Sequence, residues 1–455
     1  MNSDTPLIMP VENQVRELDS KLLLAVCASA KNISSYIGYR TELDIMISTL
    51  PRGVYLSKSL TRRSNKMFRI LSKLGHIICA WDEEALVHYP PDIYFTRRLS
   101  PVALKYVSHI FAWGKENQEL LYAYPYLPEG LPIHNVGNPR LDLFRSEFIP
   151  YFEDEINTIK NQLGEYVLIN TNFGNINSHL PIHNLFVNKD TEGNYMDRGR
   201  GSMGMSTEYA EGRARFKHNR FDAFLSLIKY LANNLDNLNI IIRPHPVENK
   251  NPYYRLAKDY ENVHVVQKGN VLPWIQASKV LVHNGCTTAI EACLAGKPAI
   301  AFEPETSERY GDALPNNISY QCKTMSEVLN HISASTHDEL PSTSLDRLDP
   351  FVVARQDKLC SELIVNILQK IEAGDHLPKF IQQSHGTYLA NKRRAVKRFK
   401  GLFSNSKYHS SFQNVRFPTQ SEDDLAMKIE KLSQLLGIQR KLHIQQVSPH
   451  IFLVQ

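Results

Sequence analysis

The chain has 455 residues, too many for one ordinary domain and natural for two of comparable size. Hydrophobic residues make up 42% and charged residues 22%, the balance of a soluble globular protein, and no apolar run reaches the ~20 residues that crossing a bilayer takes. A net charge of +5 is too small to argue for nucleic acid, so the position of the basic residues matters more than their sum.

The six cysteines, Cys27, Cys79, Cys286, Cys293, Cys322 and Cys360, form no CxxC pair and no zinc-ligand spacing. A disulfide framework is not expected in a chain this long. The start, MNSDTPLIMPVENQVREL, lacks a basic stretch followed by a long apolar one. Together these features point to a reduced, cytoplasmic protein; separately, neither a metal nor a cofactor is expected.

In chain order, LIMPVE is a short strand and VRELDSKLLLAVCASAK carries apolar residues at helical spacing. SYIGY and GVYLSK are strands, and KMFRILSKLG is a helix ending at Gly75. HIICAWDEEAL is a strand running into an acidic turn. PVALKYVS is helix-like, HIFAWG a strand, and IHNVGNPRLDLF strand, turn and helix start. The polar segment RSEFIPYFEDEINTIKNQLG is expected to link two halves. The rhythm restarts with EYVLINTNFG (strand), FDAFLSLIKYLANNL (helix), LNIIIRPHPVE (strand), YYRLAKDYE (helix) and VHVVQKG (strand). LPWIQASK, VLVHNG, TTAIEACLAG and PAIAFEP complete it as helix, strand, helix and strand. The interval from Phe173 to Phe216 is rich in Gly, Asn and Ser and is expected to be a long mobile insertion.

Strands alternating with helices imply parallel sheets covered on both faces. The expected fold is therefore α/β, with a Rossmann-like acceptor domain over 1–160, a Rossmann-like nucleotide-sugar domain over 161–375 and a basic tail over 376–455. Ligands of open α/β sheets bind beyond the carboxyl ends of the strands, here in a cleft between the two sheets. Four strand exits then carry the candidate chemistry.

At VLVHNGCTTAIEACLAG, His283, Asn284 and Gly285 end a strand, and Thr287 and Thr288 open a helix. Unpaired N–H groups, two hydroxyls and a close-approach glycine suit a phosphate. Thr288-Ala-Ile-Glu291 equally fits a capping box, which would satisfy the helix start with no ligand, and both readings stay open. At IIIRPHPVE, Arg243, His245 and Glu248 follow a strand, and Pro244 and Pro246 stiffen the turn. A histidine held there can donate to phosphate and protonate a leaving oxygen, or simply cap a loop. At AWDEEAL, Asp82, Glu83 and Glu84 are adjacent, so desolvation and mutual repulsion could raise one to a useful base, although a solvated turn is the plainer reading. At INTNFGNIN, Asn172 and Gly174 offer polar contact and close backbone approach, and VGNPRLD suits a tight turn.

Taken in order, PVENQVRELDSKLLLA, PRGVYL, WDEEAL, FAWG, VGNPRLDLF, LINTNFGNIN, RPHPVE and HNGCTTAIEACLAGKPAIAF resemble the bacterial surface carbohydrate biosynthesis proteins, a group with the GT-B glycosyltransferase fold. The resemblance covers most of residues 8–375. Bacterial sialyltransferases that use CMP-activated sugars carry an acidic pair followed by glycine, a His-Pro pair and a paired Ser/Thr. This chain has Glu83-Glu84 (or Asp82-Glu83), His245-Pro246 and Thr287-Thr288 in that order, with Ala85 in place of the glycine.

The resemblance implies that the acidic motif activates the acceptor hydroxyl while His245 and the threonines hold the CMP phosphate. The implied function is transfer of a nonulosonic acid, of Kdo, sialic, pseudaminic or legionaminic type, from a CMP-sugar to a surface polysaccharide or lipopolysaccharide acceptor. Helix-tip donors and a histidine would stabilise the leaving phosphate without metal. A UDP-sugar 2-epimerase-like enzyme and a non-catalytic nucleotide-binding assembly protein are the alternatives.

After Gly374 the alternation stops. NKRRAVKRFKGLF concentrates six Lys/Arg residues, with Val396, Phe399, Leu402 and Phe403 interleaved. Residues 391–404 are expected to lie on anionic lipid at the inner face of the membrane or to pack on the first domain; nucleic acid is not expected as a partner.

Overall fold

The computed structural model describes residues 5–190, 192–235, 237–334, 340–341, 343–353, 357–371, 378–403, 406 and 408–455. The chain divides into two compact units. Unit 1 comprises Met1–Leu86, Tyr94–Leu143 and Pro350–Gln455, and unit 2 comprises Val87–Ile93 and Phe144–Asp349.

In unit 1 six parallel strands alternate with helices: β1 (Leu7–Val11), β2 (Ser35–Tyr39), β3 (Val54–Ser57), β4 (Ile77–Ala80), β5 (His109–Ala112) and β6 (Ile133–Asn135). Every residue of β1 and β3 is buried, which is why these strands read as continuous apolar runs rather than alternating ones. The helix Gln14–Ser29 is buried along most of its length. It packs against the helix Cys360–Lys370 as well as against β1 and β2.

The attachment of Cys360–Lys370 is polar as well as apolar. The Asp142 carboxylate accepts the N–H groups of Cys360 (2.8 Å) and Ser361 (2.9 Å) and the Ser361 hydroxyl (2.7 Å). It thereby caps a helix start more than two hundred residues away in sequence. Burial pushes the Asp142 carboxyl up to about 6, against the opposing effect of those donors.

Unit 2 holds β7 (Tyr166–Thr171), the antiparallel hairpin β8 (Phe186–Lys189) and β9 (Tyr195–Arg198), then β10 (Asn239–Pro244), β11 (Val263–Val265), β12 (Val280–His283), β13 (Ala299–Phe302) and β14 (Tyr320–Cys322). Its main sheet is parallel throughout, in the order β11-β10-β7-β12-β13-β14. Counted along this unit the order is 3-2-1-4-5-6, that of a dinucleotide-binding sheet, and the strand order reverses between β7 and β12.

The C-terminal segment returns to unit 1. Helices Phe380–Gly401, Ser410–Arg416 and Glu422–Leu435 lead to a hairpin of β15 (Ile444–Ser448) and β16 (Ile451–Val454). Because β16 runs antiparallel beside β2, the first sheet is mixed, in the order β15-β16-β2-β1-β3-β4-β5-β6.

Several expectations change. The segment expected to link the halves forms a 3-10 turn, Ser146–Phe152, and a helix, Glu153–Leu163, inside unit 2. The expected mobile insertion contains the β8–β9 hairpin, and its last residues belong to the long helix Thr207–Asn234, whose N-cap Ser206 accepts the Tyr209 N–H. The chain passes between the units at Leu86/Val87, Ile93/Tyr94, Leu143/Phe144 and Asp349/Pro350, and the basic tail is part of unit 1, in keeping with one of the two places expected for it.

Candidate functional site

Parallel strands send their exits to one edge, so in unit 2 the segments after β10, β7 and β12 emerge side by side. The register sets Asn170 opposite both Arg243 and His283. At the reversal point between β7 and β12 the Asn172 N–H donates to Asn284 Oδ1 at 2.9 Å, joining the two exits directly. Asn284 is fully buried, and its Nδ2 has no protein partner. Asn170, 3% exposed, has neither amide atom paired. Buried polar atoms ordinarily find partners, so unpaired amides at a sheet's carboxyl edge are what a site leaves for a ligand or an ordered water.

The His245 loop is held from beneath by Glu248. This carboxylate, 2% exposed, accepts from the Thr171 hydroxyl (3.0 Å), the Phe173 N–H (3.0 Å), the Tyr253 hydroxyl (2.6 Å) and the His245 N–H (3.1 Å). Burial raises its pKa, while the four donors pull it down. His245 itself is half-buried, and its Nδ1 accepts the Val247 N–H at 3.4 Å. In the neutral ring the proton therefore sits on Nε2, leaving that atom as the ring's donor. Gly174 lets the two loops approach, since a Cβ there would lie 2.4 Å from Val247 Cγ2.

Arg243 does not join this group. It donates to the carbonyls of Lys268 (2.7 Å) and Gly269 (3.2 Å) and stacks on Trp274, and burial lowers its pKa to about 10. Pro246 is exposed at the tip of the turn.

At the third exit the predicted residues separate into two sets. His283 is fully buried. Its Nδ1 accepts the Gly285 N–H (3.0 Å) and its Nε2 reaches the Ser319 hydroxyl (2.9 Å); burial, with the charge of Arg220, lowers its pKa to about 3. It is a neutral scaffold histidine rather than a ligand contact. Gly285 adopts φ +86°, and a Cβ would sit 3.0 Å from Asp312 Cβ, so the sharp turn needs glycine.

The capping box does not form. Thr287 occupies the N-cap with helical backbone angles and no side-chain cap bond, and Glu291 is buried. Thr288 Oγ1 lies 2.6 Å from Cys286 Sγ, so the buried thiol serves the helix start. The helix Thr288–Leu294 is short, and the N–H groups of Ala289 and Ile290 already bond back to Cys286 and Thr287. Thr287, the N-cap residue three positions after Asn284, is half-buried.

In unit 1 the acidic turn after β4 is wired into ion pairs. Arg98 contacts the Asp82 carboxylate with Nε at 2.9 Å and with Nη2, Tyr94 donates to it (3.0 Å), and Trp113 Nε1 donates to the Asp82 carbonyl (2.7 Å). Glu83 accepts from Trp81 Nε1 at 2.7 Å. Burial pushes its carboxyl up, but Lys21, Lys58 and Arg16 outweigh that and hold it below the usual carboxylate range. The repulsion expected among adjacent carboxylates is thus overridden by cations the motif does not contain. Glu84 alone faces solvent, with Arg16 at 3.9 Å. The buried Lys21 ammonium, 3.7 Å above the Trp81 ring, was not legible as part of this turn.

Among the described residues no cluster of three or more His, Cys, Asp or Glu side chains could hold a metal ion, and no helix is long and apolar enough to cross a membrane.

Two Rossmann-like α/β units in one chain, the first with an added antiparallel hairpin, define a protein of the GT-B fold class. No protein-family model matches the sequence. No curated protein sequence matches it either. Among solved structures, one of the wall teichoic acid polymerase TagF soaked with CDPG matches with 11% identity and a TM-score of 0.50, over 81% of this chain and 89% of that one. The UDP-GlcNAc 2-epimerase of Methanocaldococcus jannaschii, in complex with UDP-GlcNAc and UDP, matches with 13% identity and a TM-score of 0.49, over 80% and 99%. That of Neisseria meningitidis, bound to UDP-GlcNAc, matches with 13% identity and a TM-score of 0.49, over 81% and 100%. At such identities the likeness is one of fold.

Proposed function

We propose that the chain is a sugar-nucleotide-dependent carbohydrate enzyme whose unit 2 binds the nucleotide sugar, and that its reaction is transfer of a CMP-activated nonulosonic acid to a surface-glycan acceptor. The observation that carries the reading is the reversal point of the second sheet. There the Asn172–Asn284 bond, the unpaired amide of Asn170, the unpaired Nδ2 of Asn284, Thr287 and the His245 loop belong to three neighbouring strand exits. The ordered set of sequence motifs supplies the choice of CMP over other nucleotides.

In this mechanism the acceptor hydroxyl attacks the anomeric carbon as the bond from that carbon to the phosphate oxygen breaks. CMP departs as the leaving group. His245 Nε2–H and the Thr287 hydroxyl donate to the phosphate as its charge grows, a role worth about 2–4 kcal/mol per donor by analogy with oxyanion holes. The acceptor's proton passes to a carboxylate. Of the acidic turn, Glu84 is the one we assign, because Asp82 is buried in a pair with Arg98 and Glu83 is buried with Trp81 as its donor, whereas Glu84 faces solvent.

The test is nucleotide release from a panel of CMP- and UDP-sugars, with and without acceptor glycans. CMP release that depends on acceptor, and is lost in His245→Ala, supports the assignment. Turnover of a UDP-sugar without acceptor and no response to any CMP-sugar would replace it with the 2-epimerase reading. Binding of nucleotide without turnover of any sugar would leave an assembly protein.

A further inference from the structure

The helix Phe380–Gly401 is amphipathic in the reverse of the usual sense. The face against unit 1 is formed by Gly386, Ala390, Arg393 and Lys397, spaced for one side of a helix. Gly386 packs so tightly on the helix Asn65–Leu74 that a Cβ would come within 2.9 Å of Lys73 Cβ. Arg393 (3.3 Å) and Lys397 (3.5 Å) both reach the buried Asp44 carboxylate. Small residues and an ion-pair cluster thus fill the side where a soluble helix ordinarily places its apolar residues.

The opposite face carries them instead. Ile381, Tyr388, Val396 and Phe399 fall within roughly 80° of the helix circumference. They are 80%, 61%, 47% and 63% exposed, and Leu402 and Phe403 extend the stripe at 77% and 55%. Exposed apolar residues occurring singly need no explanation, whereas six of them along one side of a helix, with only His385 and Lys392 set among them, mark a partner.

Charge selects which partner. From residue 376 to 421 the sequence has nine Lys/Arg and no Asp or Glu, against a net charge of +5 for the whole chain. With Arg393 and Lys397 committed to Asp44, the other basic residues of the helix are Lys392, Arg394, Arg398 and Lys400. A second copy of this chain would bring the same positive charge face to face. A bilayer with anionic headgroups accepts both the apolar stripe and its cationic flanks.

We propose that Phe380–Gly401 and the Leu402–Phe403 turn lie in the interface of an anionic membrane, with Ile381, Val396, Phe399 and Leu402 inserted among the acyl chains and the exposed Arg398 and Lys400, on the two flanks of the stripe, at the headgroups. The inference stands on unit 1 alone and does not need the nucleotide reading to hold.

Sedimentation of the full chain with vesicles tests it, comparing pure phosphatidylcholine with phosphatidylcholine containing phosphatidylglycerol. Binding should require the anionic lipid and weaken with salt. Ile381→Ser with Phe399→Ser should cut it by about tenfold or more, as should Arg398→Glu with Lys400→Glu. All four positions are on the outward or flanking side of the helix, so the circular dichroism and melting temperature of these variants should match the parent. Equal binding to both vesicle types, or none to either, overturns the proposal. So does a concentration-dependent dimer, or RNA binding, that disappears in the Ile381→Ser, Phe399→Ser variant. Nucleotide release with a soluble acceptor should be unchanged in both double variants, which separates failure here from failure of the catalytic assignment.

Discussion

Replacing Glu248 with Ala should loosen the second sheet at its carboxyl edge. The carboxylate accepts four hydrogen bonds from Thr171, Phe173, Tyr253 and His245, drawn from the β7 exit, the β10 exit and a following helix. A hydrogen bond to a charged acceptor contributes about 1.5–3 kcal/mol net, so independent addition would reach roughly 6–12 kcal/mol. That sum is too large, because removing Glu248 also relieves the cost of burying its charge and lets water enter the gap. A loss of about 3–5 kcal/mol is expected, the range for stripping a buried charge of its network. Tyr253→Phe, which deletes one donor, should cost about 1 kcal/mol. Amide hydrogen exchange can read this locally. Protection across Tyr166–Thr171 and Asn239–Pro244 should fall by roughly 10²–10⁴-fold in Glu248→Ala, while the strands of unit 1 keep theirs. A fall of less than about threefold in those segments would show that Glu248 does not hold the exits together, and the account of the His245 loop would have to be abandoned.

Other expectations follow from the same geometry. Gly174→Ala drives a Cβ to within 2.4 Å of Val247 Cγ2, so it should displace the His-Pro loop and weaken CMP binding by about tenfold in calorimetric titration. Asp82→Asn and Glu84→Gln should separate structure from chemistry. The first breaks a buried pair with Arg98 and should cost about 2–4 kcal/mol in urea denaturation; the second, at an exposed residue, should shift stability by under about 0.5 kcal/mol while lowering acceptor-dependent turnover. Stability should also fall with acid. Burial lowers His283 to about 3 and His76 to about 4, both below the ordinary 6.5, so the folded state binds fewer protons than the unfolded one. Stability is then complete above about pH 6.5 and declines below it, by about 2 kcal/mol for each histidine at pH ~5, which the urea midpoint as a function of pH would report.

The alternation of strands and helices was legible because it is written locally. The runs LIMPV, VYLS and VLVH are apolar on both faces, as strands buried on both faces must be, and the helices between them repeat at helical spacing. What could not be read was set by pairing over long distances. Asp142 capping Cys360–Lys370, Asp44 holding Arg393 and Lys397, and β16 laid antiparallel on β2 each join residues hundreds apart, and together they place the C-terminal segment in unit 1. A polar, Gly- and Asn-rich stretch such as 173–206 likewise conceals a hairpin, because turn residues advertise a break in structure more strongly than the short strands between them advertise order.

The same division governs the candidate site. Spacing identified the strand exits, since an apolar run ending at His-Asn-Gly or Arg-Pro-His marks where a sheet edge must lie. It could not assign roles within them, because a side chain's availability depends on neighbours that arrive from elsewhere. His283 looks as suited to a ligand as His245 until Ser319 and the Gly285 N–H take both its nitrogens. Three adjacent carboxylates look mutually repulsive until Lys21, Lys58 and Arg16 arrive from other elements and reverse the sign of the shift at Glu83. At the strand exits of unit 2 the fold leaves both amide atoms of Asn170 and the Nδ2 of Asn284 buried without a partner, and in unit 1 Glu84 is the carboxylate of the acidic turn that faces solvent. Chemistry in this chain is therefore marked less by which polar residues follow a strand than by which of them the rest of the protein has not already consumed.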